Sequence, residues 1–512
     1  MKSPEKQAST IPLIITSVSV IAVAVVTLIL LLLQRGGDNA GSSSYDMPAK
    51  PRFIYTKNKV LYMYDDGTSE RMSEDICDKY TLTADRLIYL SYSDLWYRDI
   101  ESKDNKPYKI APGVTAYNVN SDGSKIVYIT QNGDIFTGTT DGKTEKVGES
   151  CSDSDELFIN DSGDRIGYFT NDRKFILADV SQGNEIIVNE LIRSDSTVRC
   201  SDNLSVIIIG EFYYIVSEAE SDIYIYSDNG KTKNVIENAR IIKAYPEKNS
   251  MYYTKDDTLY YYEKGESTKI QDDYSYGYYS FELCATDVPV MVIPEGSGFF
   301  VVKKDKTEKI KFDLNTSCVL ITTRKISPDG SMLIFTASGD GNSKIYRLDL
   351  SDGSDKTPVA IDDDTDVTRI TLTSDKKVVY SKTEYGSPMR NIYVDGKLIA
   401  ENADSDNISY LDGSFFYIKN TYGWDEEEPA NVLTINTDGK ETAIKDDVNR
   451  YCVLDNDNIM MICGMDREDD FSDGTLYLYK DGKTVKIDEE VTEIVNAVKR
   501  SDEIDLDYYS QQ

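Results

Sequence analysis

The chain is 512 residues long, and its 56 Lys and Arg face 89 Asp and Glu, for a formal net charge of −33. That sign speaks against nucleic acid or anionic lipid headgroups as partners, because phosphate is neutralised by Lys and Arg. The sequence contains no histidine, which removes Ser-His-Asp and Cys-His catalysis and every His-ligated zinc or iron site.

Residues 1–10 are polar and read as a short cytoplasmic tail carrying Lys2 and Lys6. Residues 11–33 follow, 23 positions without a charge. As a helix this run spans about 34 Å, enough to cross a hydrocarbon core of about 30 Å. A cleaved signal peptide is the rival, but its apolar region is shorter and ends at a small-x-small site, whereas this run stops at Gln34-Arg35. The reading is an uncleaved signal anchor with the lipid bilayer as partner of residues 11–33. Lys2 and Lys6 before the span nearly balance Arg35, Lys50 and Arg52 after it. The large acidic, strand-rich body decides the orientation: N-terminus in the cytosol, single pass, body extracytoplasmic. Residues 34–51, rich in Gly and Ser, form a flexible stalk with an end-to-end distance of about 23 Å.

From residue 52 to 500 the texture is short apolar runs punctuated by turns. Asn-Gly or Asp-Gly occurs thirteen times, and these pairs tolerate the positive φ of tight hairpins. The 38 Tyr favour strands, and no long segment has helical spacing. Turn markers at Asp85, Asp122, Gly163, Asn203, Lys248, Ser297, Asp329, Asp375, Asp412 and Asn456 recur about every 41 residues, the length of a four-stranded blade. A unit near Asn58 without a leading strand brings the total to about eleven. Residues 326–353, ISPDGSMLIFTASGDGNSKIYRLDLSDG, are the cleanest copy.

These residues, S-P-D-G before a strand ending in Phe or Tyr and then K-I-Y-R-L-D-L, resemble the TolB-type, WD-repeat-like β-propeller family. Residues 119–128, 158–169 and 372–380 match in part. The resemblance implies an all-β propeller fold and a binding scaffold. Eleven blades are many for one ring, so two tandem propellers of five or six blades are expected, with one large ring as the alternative. Val114-Thr115 and Val367-Thr368 open leading strands, and Val491-Thr492 opens a similar segment with no blade after it. Residues 491–498 are therefore expected to pair beside residues 53–64, or else to form an amphipathic helix. Residues 501–512 are an acidic C-terminal tail.

Chemistry is sparsely signalled. The seven cysteines (77, 151, 200, 284, 318, 452 and 463) form no C-x-x-C and read as buried hydrophobes. Cys452 and Cys463, on strands flanking one turn, are the first candidates for a disulfide. Asp362, Asp364 and Asp366 alternate like calcium ligands, but Val367 replaces the turn glycine and Thr373 the twelfth-position Glu. A solvated loop is the reading. No phosphate-binding Gly loop is present, and no cofactor is expected. Exposed aromatics mark two departures from the repeat, residues 272–281 with Tyr274, Tyr276, Tyr278 and Tyr279, and residues 422–428 with Tyr422 and Trp424. They are candidate contacts for a ligand; the competing reading packs these Tyr between blades. The expected function is a non-enzymatic platform for a protein, peptide or glycan in the cell envelope. A carboxylate-dependent envelope glycosidase or lyase and a ligand-free spacer are the alternatives.

Overall fold

The computed structural model describes residues 52–503 apart from 66, 84, 101–105, 141, 150, 152–156, 181–183, 188–196, 212–220, 228, 273, 275–282, 296–297, 312–319, 340–341, 363–366, 384–389, 420–430, 456, 466–471 and 496–501. The expected anchor at 11–33 and the stalk lie outside these residues. Among the described residues no helix is long and apolar enough to cross a membrane.

Strands follow from the sequence pattern in two ways. Ser221–Ser227, SDIYIYS, alternates: Ile223 and Ile225 enter the core on one face, while Tyr224 lies half-buried against the cluster on the other. Arg86–Ser91 and Asn458–Cys463 are instead apolar almost throughout and buried at five consecutive positions. A continuous apolar run of this length is a strand covered on both faces. Each is the second strand of its sheet, with a neighbouring sheet packed on either side.

The strands form seven four-stranded antiparallel sheets plus one of seven and one of eight strands. In the larger two, a long strand serves two successive four-stranded units. Thr232–Tyr245 pairs with Ser221–Ser227 through its first half and with Ser250–Lys255 through its second, and Lys397–Leu411 does the same between Arg390–Val394 and Ser414–Lys419. Counted as four-stranded units, here called blades, the described body has the eleven that the repeat predicts. The first blade borrows its leading strand from the far end of the chain: Glu493–Val495 pairs with Arg52–Lys57, Thr56 opposite Glu493 and Ile54 opposite Val495. This is the pairing expected of residues 491–498, in place of a helix.

Apolar clusters join each blade to the next. Ile54 and Leu61 pack with Leu87 and Tyr89 between the first two, and the succession continues through the remaining pairs to the tenth and eleventh. Between the seventh and eighth, the rings of Phe299 and Phe335 meet edge to face at 4.9 Å. The eleventh returns to the first, where Arg450 donates to the carbonyl of Thr492 at 3.2 Å. Lys50–Asp507 form one compact unit by themselves.

The turn between the first two strands of a blade repeats in detail. Asn120, Asn160, Ser201, Ser327 and Thr373 each accept, through a side-chain oxygen, the backbone N–H of a residue four or five positions on. Their own carbonyls accept from Gly123, Gly163, Leu204, Gly330 and Lys376, all five at positive φ. The two non-glycines use their side chains. Leu204 is buried in the cluster between the fourth and fifth blades, and Lys376 reaches Asp329 of the preceding turn at 2.7 Å. A Cβ at Gly330 (φ 68°) would stand 2.8 Å from the Val290 Cβ of the neighbouring blade, whereas one at Gly353 (φ 74°) meets nothing within 4 Å. Left-handed backbone costs an L-residue about 1–2 kcal/mol, and overpacking adds about 1–3 kcal/mol. Gly330→Ala is thus expected to destabilise the body by about 3 kcal/mol and Gly353→Ala by about 1 kcal/mol. Urea unfolding of the two variants side by side checks the difference, and equal losses would mean the turn does not pack on its neighbour.

A second recurring device makes the corner from one blade into the next. A left-handed residue, Gly113, Asn238, Asn402, Asp447 or Glu490, precedes a buried Val or Ala, namely Val114, Ala239, Ala403, Val448 or Val491. The backbone turns where Gly, Asn and Asp tolerate positive φ, and the small residue fits the crowded angle.

Two expectations are corrected. The seventh blade's leading turn lies at residues 286–289, between Leu283–Cys284 and Val290–Glu295; the marker Ser297 falls one hairpin later. That leading turn contains no glycine, so composition points to the wrong hairpin. Cys452 and Cys463 do lie on paired strands, but they do not face each other. Cys452 faces Met460, three residues short of Cys463. At about 3.3 Å per residue that offset is about 10 Å, beyond the reach of a disulfide.

Candidate functional site

A polar recess joins the ninth and tenth blades. The ninth contributes its leading turn, Ser374, Asp375 and Lys377; the tenth contributes Tyr410 and the hairpin Leu411–Gly413. Together they line a volume of about 450 Å³. Tyr410 donates its hydroxyl hydrogen to Asp375 Oδ2 at 2.7 Å, and Lys377 Nζ donates to the same hydroxyl oxygen at 2.7 Å. Lys377 also pairs with Asp375 at 3.4 Å and lies 4.7 Å from the Tyr410 ring centre. Thr373 completes the set with a hydrogen bond to Asp375 Oδ1.

Ionisation follows from these contacts. Burial pushes the Asp375 carboxyl up, but the hydrogen bonds from Thr373 and Tyr410 and the Lys377 charge outweigh it and hold the group below its ordinary value. Burial pulls Lys377 down, and the Tyr410 and Asp375 contacts more than reverse it. Tyr410 is raised, first by burial and then by the acceptor Asp375. At neutral pH the trio is therefore a carboxylate, an ammonium and a neutral phenol. None is poised to exchange a proton, which suits recognition better than general acid–base catalysis. Tyr410→Phe leaves Asp375 and Lys377 in contact with each other, so a loss of about 1 kcal/mol is expected. Denaturant unfolding checks it, and a loss several times larger would give the hydroxyl a role beyond this bridge.

Similar polar links join other leading turns. Asn120 donates to the carbonyl of Asp161 at 2.9 Å, and Arg86 to that of Asp122. The N–H of Asp202 meets Glu247, and Lys248 meets the carbonyl of Asp287. The Asp-bearing turns are structural latches first, and the one at Asp375 has open volume beside it.

The strand Lys397–Leu411 carries a further partner here. Its second half is the leading strand of the tenth blade, and on the edge away from Ser414–Lys419 it pairs with Asp502–Glu503, Ser409 opposite Glu503 and Tyr410 opposite Asp502. Among the described residues no other blade has a fifth strand on its leading edge.

Of the aromatic candidates, Tyr274 is buried at 6% exposure between the sixth and seventh blades, near Tyr245, Tyr252 and Tyr261. That is the inter-blade packing role. Tyr276, Tyr278, Tyr279, Tyr422 and Trp424 lie outside the described residues. Asp362 accepts from the Tyr380 hydroxyl and pairs with Lys382 at 2.7 Å, while Asp364 and Asp366 lie outside. Among the described residues no group of three or more acidic or Cys side chains is arranged to hold a metal. Sequence reasoning marked Asp375 only as a turn residue and missed the trio. Tyr410 is 35 positions away, and only blade stacking brings the two together.

Repeated four-stranded antiparallel blades, completed by a strand from the opposite chain end, define an all-β protein of the propeller-like class. No protein-family model matches the chain, and no curated protein matches it in sequence. Solved structures are similar at low identity. The tricorn protease aligns over 86% of this chain and 52% of its own, at 12% identity and a TM-score of 0.28. The chain thus spans about half the length of that structure. A eukaryotic initiation factor aligns over 90% of this chain and 100% of its own, at 9% identity and a TM-score of 0.40. The C-terminal WD40 domain of Sif2 aligns over 67% and 97%, at 16% identity and a TM-score of 0.29.

Proposed function

We propose that the chain is a membrane-tethered, extracytoplasmic propeller whose eleven blades close into one ring, and that it serves as a binding platform for a protein, peptide or glycan in an envelope complex. The observation that carries this reading is the return of Glu493–Val495 to the first blade. A body locked end to end holds its connecting loops on a rigid frame, the usual setting for recognition. Residues 11–33 supply the tether, and the acidic surface keeps the body soluble and away from anionic lipid. The stretches that leave the repeat, residues 272–281 with Tyr276, Tyr278 and Tyr279 and residues 422–428 with Tyr422 and Trp424, are the proposed contacts.

Crosslinking in intact cells, followed by detergent extraction of the full chain, is expected to recover a discrete partner attached through these stretches. Protease added to the same cells is expected to remove the body. A protected body would overturn the exported orientation, and the absence of any crosslinked partner would overturn the platform. A glycan-substrate screen separates the glycosidase or lyase alternative, which predicts turnover where the platform predicts none.

A further inference from the structure

We infer that the leading edge of the tenth blade, at Ser409–Tyr410, is a strand-addition site for an extended basic peptide, and that the chain's own Asp502–Glu503 occupies it in cis. The inference rests on the platform reading and adds the place and the class of partner. A leading strand ordinarily presents one unpaired edge of N–H and C=O groups, a template for an added strand. In this blade alone among those described, that edge is already used, by Asp502–Glu503. The edge is therefore shown to accept an extended segment, and the segment it accepts is short.

Charge identifies what would replace it. Residues 501–512 contain Asp502, Glu503, Asp505 and Asp507 and no Lys or Arg, on a chain whose net charge is −33. An acidic segment adds negative charge to an already acidic chain, whereas a basic strand brings the opposite sign. The recess adjoining Tyr410 presents Asp375 and Asp412 against the single ammonium of Lys377, and so favours a Lys or Arg side chain. The tail holds the edge at high effective concentration because it is tethered, and a partner must displace it. Two paired residues make this a weak, reversible cover.

The test uses the full chain in detergent and three fluorescent peptides of equal length: an alternating Lys/Thr strand, the same peptide N-methylated at alternate residues, and a copy of residues 501–507. Anisotropy is expected to show binding of the first only. Removing residues 501–512 is expected to tighten it about tenfold, as for a site that is free a tenth of the time. Ser409→Cys with Glu503→Cys places two thiols opposite each other; oxidation should abolish binding and reduction restore it. Equal binding of the N-methylated peptide would mean charge adherence without strand addition and would overturn the inference. So would indifference to tail removal, or preferential binding of the 501–507 copy, which would mean exchange of tails between copies. Should the double-cysteine variant fail to fold, the tail deletion and the N-methylated peptide still decide. A silent peptide assay alongside positive crosslinks at other loops would remove this site and leave the platform standing.

Discussion

Deleting residues 488–512 is expected to lower the thermal midpoint of the body by about 8 °C, given an unfolding entropy that grows with chain length. The deletion uncovers the edge of Arg52–Lys57 and removes the backbone bond from Thr492 N–H to the Thr56 carbonyl at 2.9 Å. It also removes Asp488, which accepts from the Tyr55 hydroxyl at 2.6 Å and from Lys57 at 3.0 Å. Tyr55 is fully buried, and its hydroxyl loses this acceptor. Each buried polar group stranded in this way costs about 1–3 kcal/mol, and the lost burial of Val491 costs about 2 kcal/mol. Thr492→Pro is the milder test, since it removes one N–H from the seam; a fall of about 3 °C is expected, from a loss of about 3 kcal/mol. Differential scanning calorimetry reads both. Unchanged unfolding of the deletion variant would mean that the first blade is complete without the far end of the chain.

Acid is expected to unfold the body cooperatively as pH falls from about 4 toward 2, because the turn carboxylates are stabilised as anions. Among the described residues, Asp122, Asp164, Asp329, Asp349, Asp375 and Asp488 are all held below the ordinary carboxylate value. For Asp329, burial opposes the shift, and the Lys376 and Ser327 hydrogen bonds overcome it. A group with a depressed folded pKa contributes stability above its unfolded value, near 3.9, and loses it as pH drops through the folded value. Asp202 and Glu247 work in the opposite sense, each raised chiefly by burial, but they are two against ten, since Asp172, Asp352, Glu441 and Glu489 are lowered as well. Protonation also relieves the repulsion within a chain of net charge −33. That relief acts on the expanded unfolded chain too, whereas the latches exist only in the folded body. Circular dichroism against pH, at fixed ionic strength, checks the direction. Unfolding that begins well above pH 5 would assign the acid sensitivity to other groups.

Local chemistry made much of this fold legible. Asn-Gly and Asp-Gly pairs, the short apolar runs between them and the Val-Thr openers pointed to the number of blades and the return of the C-terminal strand. The seventh blade hid its turn because residues 286–289 make the corner without glycine, while the Gly-Ser-Gly at 296–298 advertised a different one. What could not be read were contacts between blades. Lys376 meets Asp329 across 47 residues, and the sequence offers 89 acids as potential partners. Tyr274 illustrates the same limit from the other side. Its aromatic neighbourhood fitted either an exposed patch or packing between blades, and only the stacked blades show that it is buried between the sixth and seventh. The single ring proposed here also departs from the expected pair of propellers, since unbroken inter-blade packing leaves no trace in any one repeat.

The two strands that pass without interruption from one blade to the next, Thr232–Tyr245 and Lys397–Leu411, divide the body for folding. Elsewhere a blade can fray with its own hairpins, but here opening one blade pulls on the hydrogen-bond ladder of the next. Blades five and six, and blades nine and ten, should therefore exchange their amide hydrogens as paired cooperative units. Amides of Arg240–Tyr245 should match the rates of those in Ser221–Ser227, across what would otherwise be a boundary between independent modules.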